Sequence, residues 1–233
     1  MLYLHGTSYD NPFVPEIEKE GLRKLKGNRI YEQEIMARFV ESGGGVFNDV
    51  TTLQSRVPLK QSKTYYTGID LAKEEDYTVL TTLNEDLTIV DLERFNKTES
   101  YEEIVNRIVR HQKKWNSHLC IETNNFGAII IEQLFKRGVK SIKEFTTTNQ
   151  SKNEIITSLR FKLSQGLITT SIDVPELISE LEQFDYAITK NGNISYSAPQ
   201  GFHDDCVMSL AFANHLFEFR NTGNIKKVVS FSK

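Results

Sequence analysis

Three segments rich in β-branched and aromatic residues follow one another with very short connections, at residues 65–70, 77–83 and 87–95. The connections are too short for crossover helices, so the three segments should pair as an antiparallel meander. The first segment ends in Asp70, which places a carboxylate at the end of a strand. We interpret this stretch as the one around which the rest of the chain is organised.

Helix and strand signals alternate after the meander, and Ser100 is the expected N-cap of the first helix. The order of strand, helix and strand implies an α/β fold, in which a mixed sheet of antiparallel and parallel strands is flanked by helices. The predicted elements, in chain order, are a helix over residues 101–115, a strand over 118–122, a helix over 127–137, a strand over 139–145, helices over 152–165 and 175–184, a hairpin of 186–190 with 194–197, and a helix over 206–219.

The beginning of the chain differs from the rest. Two short helices are predicted at residues 15–25 and 30–40, and they hold too few apolar residues for a core of their own. We therefore expect residues 1–60 to be a helical tail and linker, and residues 61–222 to form the main domain. Residues 223–233 are polar and basic and should form a flexible tail.

Composition limits the function classes. The formal net charge of −3 argues against a wholly basic surface that holds nucleic acid by charge alone, although a local basic rim remains possible with 28 Lys and Arg residues. Cys120 and Cys206 lack metal-ligand spacing, so we interpret them as reduced core thiols of a cytosolic-type protein. No signal peptide and no apolar run of membrane-spanning length is evident, so we expect neither secretion nor membrane insertion.

Acidic residues stand at the ends of predicted elements. Asp70 and Glu122 each end a strand, and Asp204 and Asp205 open the last helix. If the strands of Asp70 and Glu122 are parallel neighbours, both carboxylates emerge at one edge of the sheet, and the start of the last helix can bring Asp205 to the same edge. Asp76, at the start of the returning strand, could approach them as well.

Several carboxylates at one place repel one another, and a divalent cation removes that repulsion. Carboxylates without His or Cys partners suit Mg²⁺ or Mn²⁺ better than zinc. Two such ions would activate a water and stabilise the leaving oxygen in a phosphodiester displacement. The acids therefore indicate a hydrolytic nuclease with two Mg²⁺ or Mn²⁺ ions.

Simpler interpretations exist for each residue. Asp70 and Asp76 are typical of turns, Glu122 could pair with a lysine, and Asp204 could serve only as an N-cap. Asp205 has less reason to cap, and its helix is otherwise apolar. Several polar residues could contact DNA, although a turn, loop or surface position is the simpler interpretation for them: Lys73, Asn124, Lys152, Lys190 and His203.

Three motifs occur in order over residues 64–220: Gly68-Ile69-Asp70 followed by Asp76-Tyr77-Thr78-Val79, then Ile121-Glu122-Thr123-Asn124 with Gly127, then His203-Asp204-Asp205-Cys206 before an apolar helix. Together they resemble the C-terminal nuclease domain of the large terminase subunit of tailed bacteriophages. The resemblance implies a ribonuclease H-like fold, related to those of Holliday-junction resolvases and retroviral integrases.

The resemblance also implies a function. It implies endonucleolytic cutting of concatemeric viral double-stranded DNA during genome packaging, dependent on Mg²⁺ or Mn²⁺. Asp70, Glu122 and one of Asp204 and Asp205 would take the metal-ligand places, with Asp76 as an accessory acid. Where resolvases tend to carry a further acid on the last helix, this chain has Met208.

The resemblance places the chain in a larger motor. Residues 1–60 resemble the end of a terminase ATPase domain and its linker, and the portal protein and the small terminase subunit would be partners in the host cytoplasm. The chain contains no Gly-rich Lys-Ser/Thr phosphate loop, so we expect no ATP hydrolysis by this polypeptide.

Two alternatives remain open. A stand-alone resolvase or transposase-type nuclease would use the same acids, although the N-terminal helices and the absence of a basic DNA-binding module count against it. A catalytically idle docking module, which holds DNA or the portal, would make the acids structural.

Overall fold

The computed structural model describes residues 7–16, 19, 45–47, 49–71, 77–96, 100–123, 126–188, 194–199 and 201–229. The chain divides into two compact units, residues 1–46 and residues 47–233. In the smaller unit, a 3₁₀ turn over Ser8–Asp10 is closed by hydrogen bonds from the Thr7 backbone N–H and hydroxyl to the Asp10 carboxylate, both at 2.8 Å. The predicted helices at residues 15–25 and 30–40 lie almost wholly outside the described residues.

The larger unit is built on a six-stranded sheet in the order β5-β4-β1-β2-β3-β6. Strands β1, β2 and β3 form the predicted antiparallel meander, while β4 pairs parallel to β1, β5 parallel to β4 and β6 parallel to β3. This confirms the predicted mixed α/β sheet. The strands are β1 Tyr65–Asp70, β2 Tyr77–Asn84, β3 Thr88–Asn96, β4 His118–Glu122, β5 Ile142–Phe145 and β6 Thr169–Thr170, and a separate antiparallel hairpin consists of β7 Asp185–Ile188 and β8 Ile194–Ser197.

Among the described residues, five α-helices accompany the sheet: α1 Tyr101–Trp115, α2 Gly127–Lys136, α3 Asn149–Ser164, α4 Pro175–Gln183 and α5 Asp205–Val229. Apolar residues of α1 and α2 form one core with Ile69 of β1 and Ile121 of β4. Helix α5 packs on the strands β1, β2 and β4. No helix among the described residues has the length and apolar composition needed to cross a bilayer.

Close approach of α5 to β1 depends on Gly68. A Cβ atom at this position would overlap the backbone of Ser209 and Ala213, so only glycine allows the helix to lie this near. The Ser209 hydroxyl donates to the Gly68 carbonyl oxygen at 2.9 Å and so anchors the contact. Because successive side chains of a strand point to opposite faces, Ile69 faces α1 and α2 while Gly68 faces α5.

Residues 47–60 are part of the larger unit rather than a free linker. Leu53 is buried in a 3₁₀ turn over Thr51–Leu53, and the Phe47 ring lies 5.6 Å from the ring of Phe184. The Val57 N–H donates to the carbonyl oxygen of Thr170 in β6 at 2.7 Å. The compact unit thus begins before residue 61, the expected boundary.

Two helix boundaries differ from the predictions by more than one residue. Helix α3 begins at Asn149, before the predicted residue 152, because Thr148 accepts from the Ser151 N–H at 3.1 Å and caps the helix earlier. Helix α5 runs to Val229, past the predicted end at 219 and past residue 223, where a flexible tail was expected. Residues 230–233 lie outside the described residues.

The two cysteines are buried free thiols, as predicted. Burial raises the pKa of Cys120 to about 12, and burial beside the Glu180 carboxylate raises the pKa of Cys206 as well.

Candidate active site

Asp70 and Glu122 end two neighbouring parallel strands. The parallel register pairs Ile69 of β1 with Ile121 of β4, and the acids are the next residue of each strand. The two carboxylates therefore stand at the same edge of the sheet, the arrangement on which the sequence hypothesis depends. Glu122 is 6% exposed and Asp70 is half-buried.

Both acids lie on the face of the sheet that α5 covers. Gly68, two residues before Asp70, faces α5, and its parallel partner Cys120 stands two residues before Glu122. Because side chains two residues apart in a strand share a face, Asp70 and Glu122 point to the α5 side. The start of α5 is thus the element most able to complete a site with them.

Asp205 is the first residue of α5 and is 5% exposed. Its Oδ2 accepts from the Tyr77 backbone N–H at 3.3 Å. Tyr77 begins β2, two residues before Val79, which pairs with Asp70. Two residues of a strand span about 7 Å, so Asp205 reaches the sheet close to the end of β1.

The three acids lie at the same edge of the sheet, but their side chains do not converge on one point. Within the part of the chain that the structure describes, no three His, Cys, Asp or Glu side chains form a group that could hold a metal ion as they stand. Asp76 lies outside the described residues, in the connection between β1 and β2.

Asp204 has a different environment from Asp205. Its Oδ2 accepts from the Lys152 ammonium at 3.1 Å, and both side chains are partly buried. The Asp204 carbonyl oxygen accepts from the Met208 N–H at 2.9 Å, so the backbone of Asp204 begins the helix. Its carboxylate is engaged by Lys152 on α3, and a contact of Lys152 with DNA stays a prediction.

Glu180 occupies the free amides at the start of α5. Its Oε2 accepts from the backbone N–H groups of Cys206 at 2.7 Å and Val207 at 3.3 Å. Burial raises the pKa of the Glu180 carboxyl, while the hydrogen bonds from Cys206 and the charge of Arg94 act in the opposite direction. A buried acid of α4 thus accepts from the first backbone amides of α5, the groups that an N-cap at Asp204 was expected to satisfy.

Aromatic and cationic side chains surround Asp205. The Arg94 guanidinium lies 3.6 Å above the centre of the Tyr77 ring and has a nitrogen 3.6 Å from Glu180 Oε1. The His203 ring meets the Tyr77 ring edge-on at 5.3 Å, and its Nδ1 lies 3.6 Å from Asp205 Oδ2. His203, for which a plain loop position was the simpler interpretation, is therefore next to a candidate catalytic acid.

A cavity of about 340 Å³ opens beside this group. Its walls come from β3, α4 and the segment before α5, and they include Arg94, Glu176, Glu180, Phe202 and His203.

Comparisons with known proteins agree with this geometry. No family model matches the chain. The large terminase subunit of Thermus virus P23-45 is 27% identical over 201 residues, which cover 81% of this chain and 41% of the relative. The chain therefore spans about two fifths of the length of that relative.

Solved structures give the same relationship. The large terminase nuclease of thermophilic phage G20c, solved with bound magnesium and also with bound cobalt, is 25% identical, with a TM-score of 0.64 over 74% of this chain and 97% of the other. The nuclease domain of the Thermus phage P74-26 large terminase is 28% identical, with a TM-score of 0.59 over 66% of this chain and 80% of the other.

The chain is homologous to the nuclease domain of phage large terminases. This confirms the resemblance that the three motifs carried and, with it, the predicted ribonuclease H-like mixed sheet.

Several residues predicted to bind metal or DNA lie outside the described part of the chain: Lys73, Asp76, Asn124 and Lys190. Their assignments stay predictions. Sequence reasoning also missed two residues, Glu180 and Arg94. Glu180 had a readable signal, because it lies on the apolar stripe of α4 between Leu177 and Leu181, and an acid at such a position must find a buried partner.

Proposed function

We propose that this chain is a divalent-metal-dependent endodeoxyribonuclease, the nuclease portion of a phage large terminase, with Asp70, Glu122 and Asp205 as its metal ligands. One observation carries the proposal: the parallel pairing of β1 with β4 aligns Asp70 with Glu122, and Asp205 reaches the neighbouring strand β2 through Tyr77. The homology to terminase nucleases agrees with this interpretation.

The donor set fits a hard divalent cation. The three side chains offer carboxylate oxygens, which are the usual ligands of Mg²⁺ and Mn²⁺. We propose two Mg²⁺ or Mn²⁺ ions, with Asp76 as an accessory ligand and Asp204 as a further candidate acid.

The ions, when bound, would supply an activated water and charge stabilisation at the scissile phosphate. The chain supplies fixed positions for their ligands. Asp70 and Glu122 are held by the ladder of the sheet, and the Tyr77 N–H holds Asp205. Sites on strands and helix starts keep their side chains in place better than sites on loops.

DNA and motor partners follow from the same proposal. Lys73, Asn124, Lys190 and His203 are proposed to contact DNA, and Lys152 to hold the Asp204 carboxylate beside it. In the full motor, which would act in the host cytoplasm, the portal protein and the small terminase subunit are proposed partners. Residues 1–60 would then contain the end of the preceding ATPase domain, in keeping with the fraction of the large terminase that this chain spans.

Plasmid cleavage with Mn²⁺ tests the function. We expect Asp70→Asn and Asp205→Asn each to reduce the cleavage rate by about 100-fold or more, since loss of an outer-shell partner alone costs up to about 100-fold, with circular dichroism unchanged. Asp86→Asn is the matched control, because Asp86 is exposed in the β2–β3 turn, at the end of β2 away from the residues that pair with Asp70. Variants that cut as fast as the parent chain would refute the ligand assignment, and a parent chain that binds DNA without cutting would favour the docking module.

A further inference from the structure

A series of contacts leads from the start of α5 through α4, β3 and β2 back to the Asp205 carboxylate. Glu180 Oε2 accepts from the Cys206 and Val207 N–H groups, at 2.7 and 3.3 Å, and thereby ties α4 to the start of α5. The other carboxylate oxygen of Glu180 lies 3.6 Å from a guanidinium nitrogen of Arg94 in β3.

The series returns to Asp205 through Tyr77. The Arg94 guanidinium is stacked 3.6 Å above the Tyr77 ring, and the Tyr77 backbone N–H donates to Asp205 Oδ2 at 3.3 Å. Glu180 therefore supports two of the groups that hold the Asp205 carboxylate, namely the helix start that carries it and the β2 residue whose N–H binds it.

Occupation of the helix amides has a specific consequence for Asp205. The first N–H groups of a helix lack partners within the helix, and an aspartate in the first turn is a natural acceptor for them. Glu180 takes the amides of Cys206 and Val207 from outside the helix. Asp205 is therefore not needed as a cap, and its carboxylate is directed to the sheet edge instead.

We propose that Glu180, with Arg94 as its partner, is a positioning residue that directs the Asp205 carboxylate to the edge shared with Asp70 and Glu122. The inference rests on the proposed function, since it gives Asp205 a ligand role. Glu180 itself touches neither substrate nor metal in this proposal.

Two substitutions of Glu180 separate the effect of its side-chain length from the effect of its charge. Glu180→Asp keeps the charge but is one methylene shorter, so it cannot reach both amides and Arg94 from the same backbone. Glu180→Gln keeps the length and an acceptor oxygen but loses the charge. Glu176→Gln is the matched control, because Glu176 is an exposed acid one turn earlier on α4, on the wall of the same cavity.

The measurement is Mn²⁺ binding by the whole 233-residue chain, followed by the electron paramagnetic resonance signal of free Mn²⁺. We expect Glu180→Asp to weaken Mn²⁺ binding about tenfold, the lower end of what loss of an outer-shell partner costs. Plasmid cleavage should need correspondingly more Mn²⁺, with a smaller loss of rate at saturating Mn²⁺. Glu176→Gln should bind Mn²⁺ within about twofold of the parent, because salt screens the charge of an exposed side chain.

The other possible results contradict either the inference about Glu180 alone or the proposed function as well. If Glu180→Asp binds Mn²⁺ like the parent, position is not what Glu180 supplies and the inference fails, even if Glu180→Gln binds weakly. If Glu180→Asp does not fold, Arg94→Lys decides, since lysine cannot reproduce the planar stacking on Tyr77. Parent-like Mn²⁺ binding by Arg94→Lys, or loss of folding in both variants, overturns the inference. A parent chain that binds no Mn²⁺ overturns the proposed function and the inference together.

Discussion

At the scale of single residues, a buried histidine joins the sheet to α1 through polar contacts. His111 is buried, and its ring nitrogens contact the Thr82 hydroxyl at 2.7 Å and the Glu93 carboxylate at 3.2 Å. The Thr82 hydroxyl also pairs with that of Thr67 at 2.8 Å. Such a network stabilises the fold only while every member keeps its partner.

The loss of folding stability at acidic pH should depend on Glu93. Hydrogen bonding to His111 lowers the pKa of Glu93, against the opposing effect of burial, and the contact with Arg107 lowers it further. A carboxyl with a depressed pKa in the folded state stabilises the protein above its unfolded pKa, and this contribution is lost as the pH falls through the folded pKa. We therefore expect Glu93→Gln to be less stable than the parent at neutral pH and to lose less stability between about pH 5 and about pH 3.

Urea unfolding at both pH values measures this effect. Glu144→Gln is the control, because Glu144 is exposed on the edge strand β5. If Glu93→Gln loses as much free energy of unfolding between the two pH values as the parent does, Glu93 is not responsible for the acid sensitivity.

At the scale of elements, helix starts are set by short reciprocal contacts. Helix α3 begins with a capping box, in which Thr148 Oγ1 accepts from the Ser151 N–H at 3.1 Å and Ser151 Oγ accepts from the Thr148 N–H at 2.8 Å. The Lys152 side chain, which binds Asp204, belongs to the first turn of the same helix.

Removal of this cap should cost stability and loosen that turn. We expect Thr148→Ala to lower the free energy of unfolding by about 1 kcal/mol. Thr157→Ala, on an exposed position of the same helix, should not destabilise, because alanine is the better helix former. Urea denaturation compares the two variants, and equal losses in both would mean that the cap contributes nothing specific.

Element boundaries with a local signal were predictable. Helix α1 follows Ser100, whose side chain accepts from the Glu103 N–H, and it ends where Asn116 adopts a left-handed conformation. Strands β1 and β4 have the predicted bounds, because each is a short apolar run that ends at an acid.

Features fixed by distant contacts were not predictable. Strand β6 has only two residues and exists through its pairing with β3, so it leaves no periodic pattern. The ion pair of Lys152 with Asp204 joins α3 to the residue before α5, and local sequence does not reveal it. The sequence predicted a common position for Asp70 and Glu122 only if β1 and β4 are parallel neighbours. That pairing depends on the whole sheet and cannot be inferred from local sequence.

At the scale of the whole molecule, the larger compact unit starts at Phe47 rather than at residue 61. Leu53 is buried, Phe47 packs on Phe184, and Val57 bonds to Thr170 of β6. These contacts make residues 47–60 part of the folded core of this unit.

A substitution pair tests this boundary. We expect Leu53→Ala to lower the free energy of unfolding by about 3 kcal/mol, because it empties a buried site. Leu59→Ala should have little effect, since Leu59 is 53% exposed. Chemical denaturation measures both, and a Leu53→Ala variant as stable as the parent would restore the interpretation of residues 47–60 as a free linker.

The three acids of the proposed site come from three elements, and α5 follows the others in the chain. A polypeptide still on the ribosome therefore has no Asp205 at the sheet edge until α5 has emerged and packed against Gly68. On the proposed function, cutting activity would require α5, so that a chain truncated before α5 poses no threat to the DNA around it.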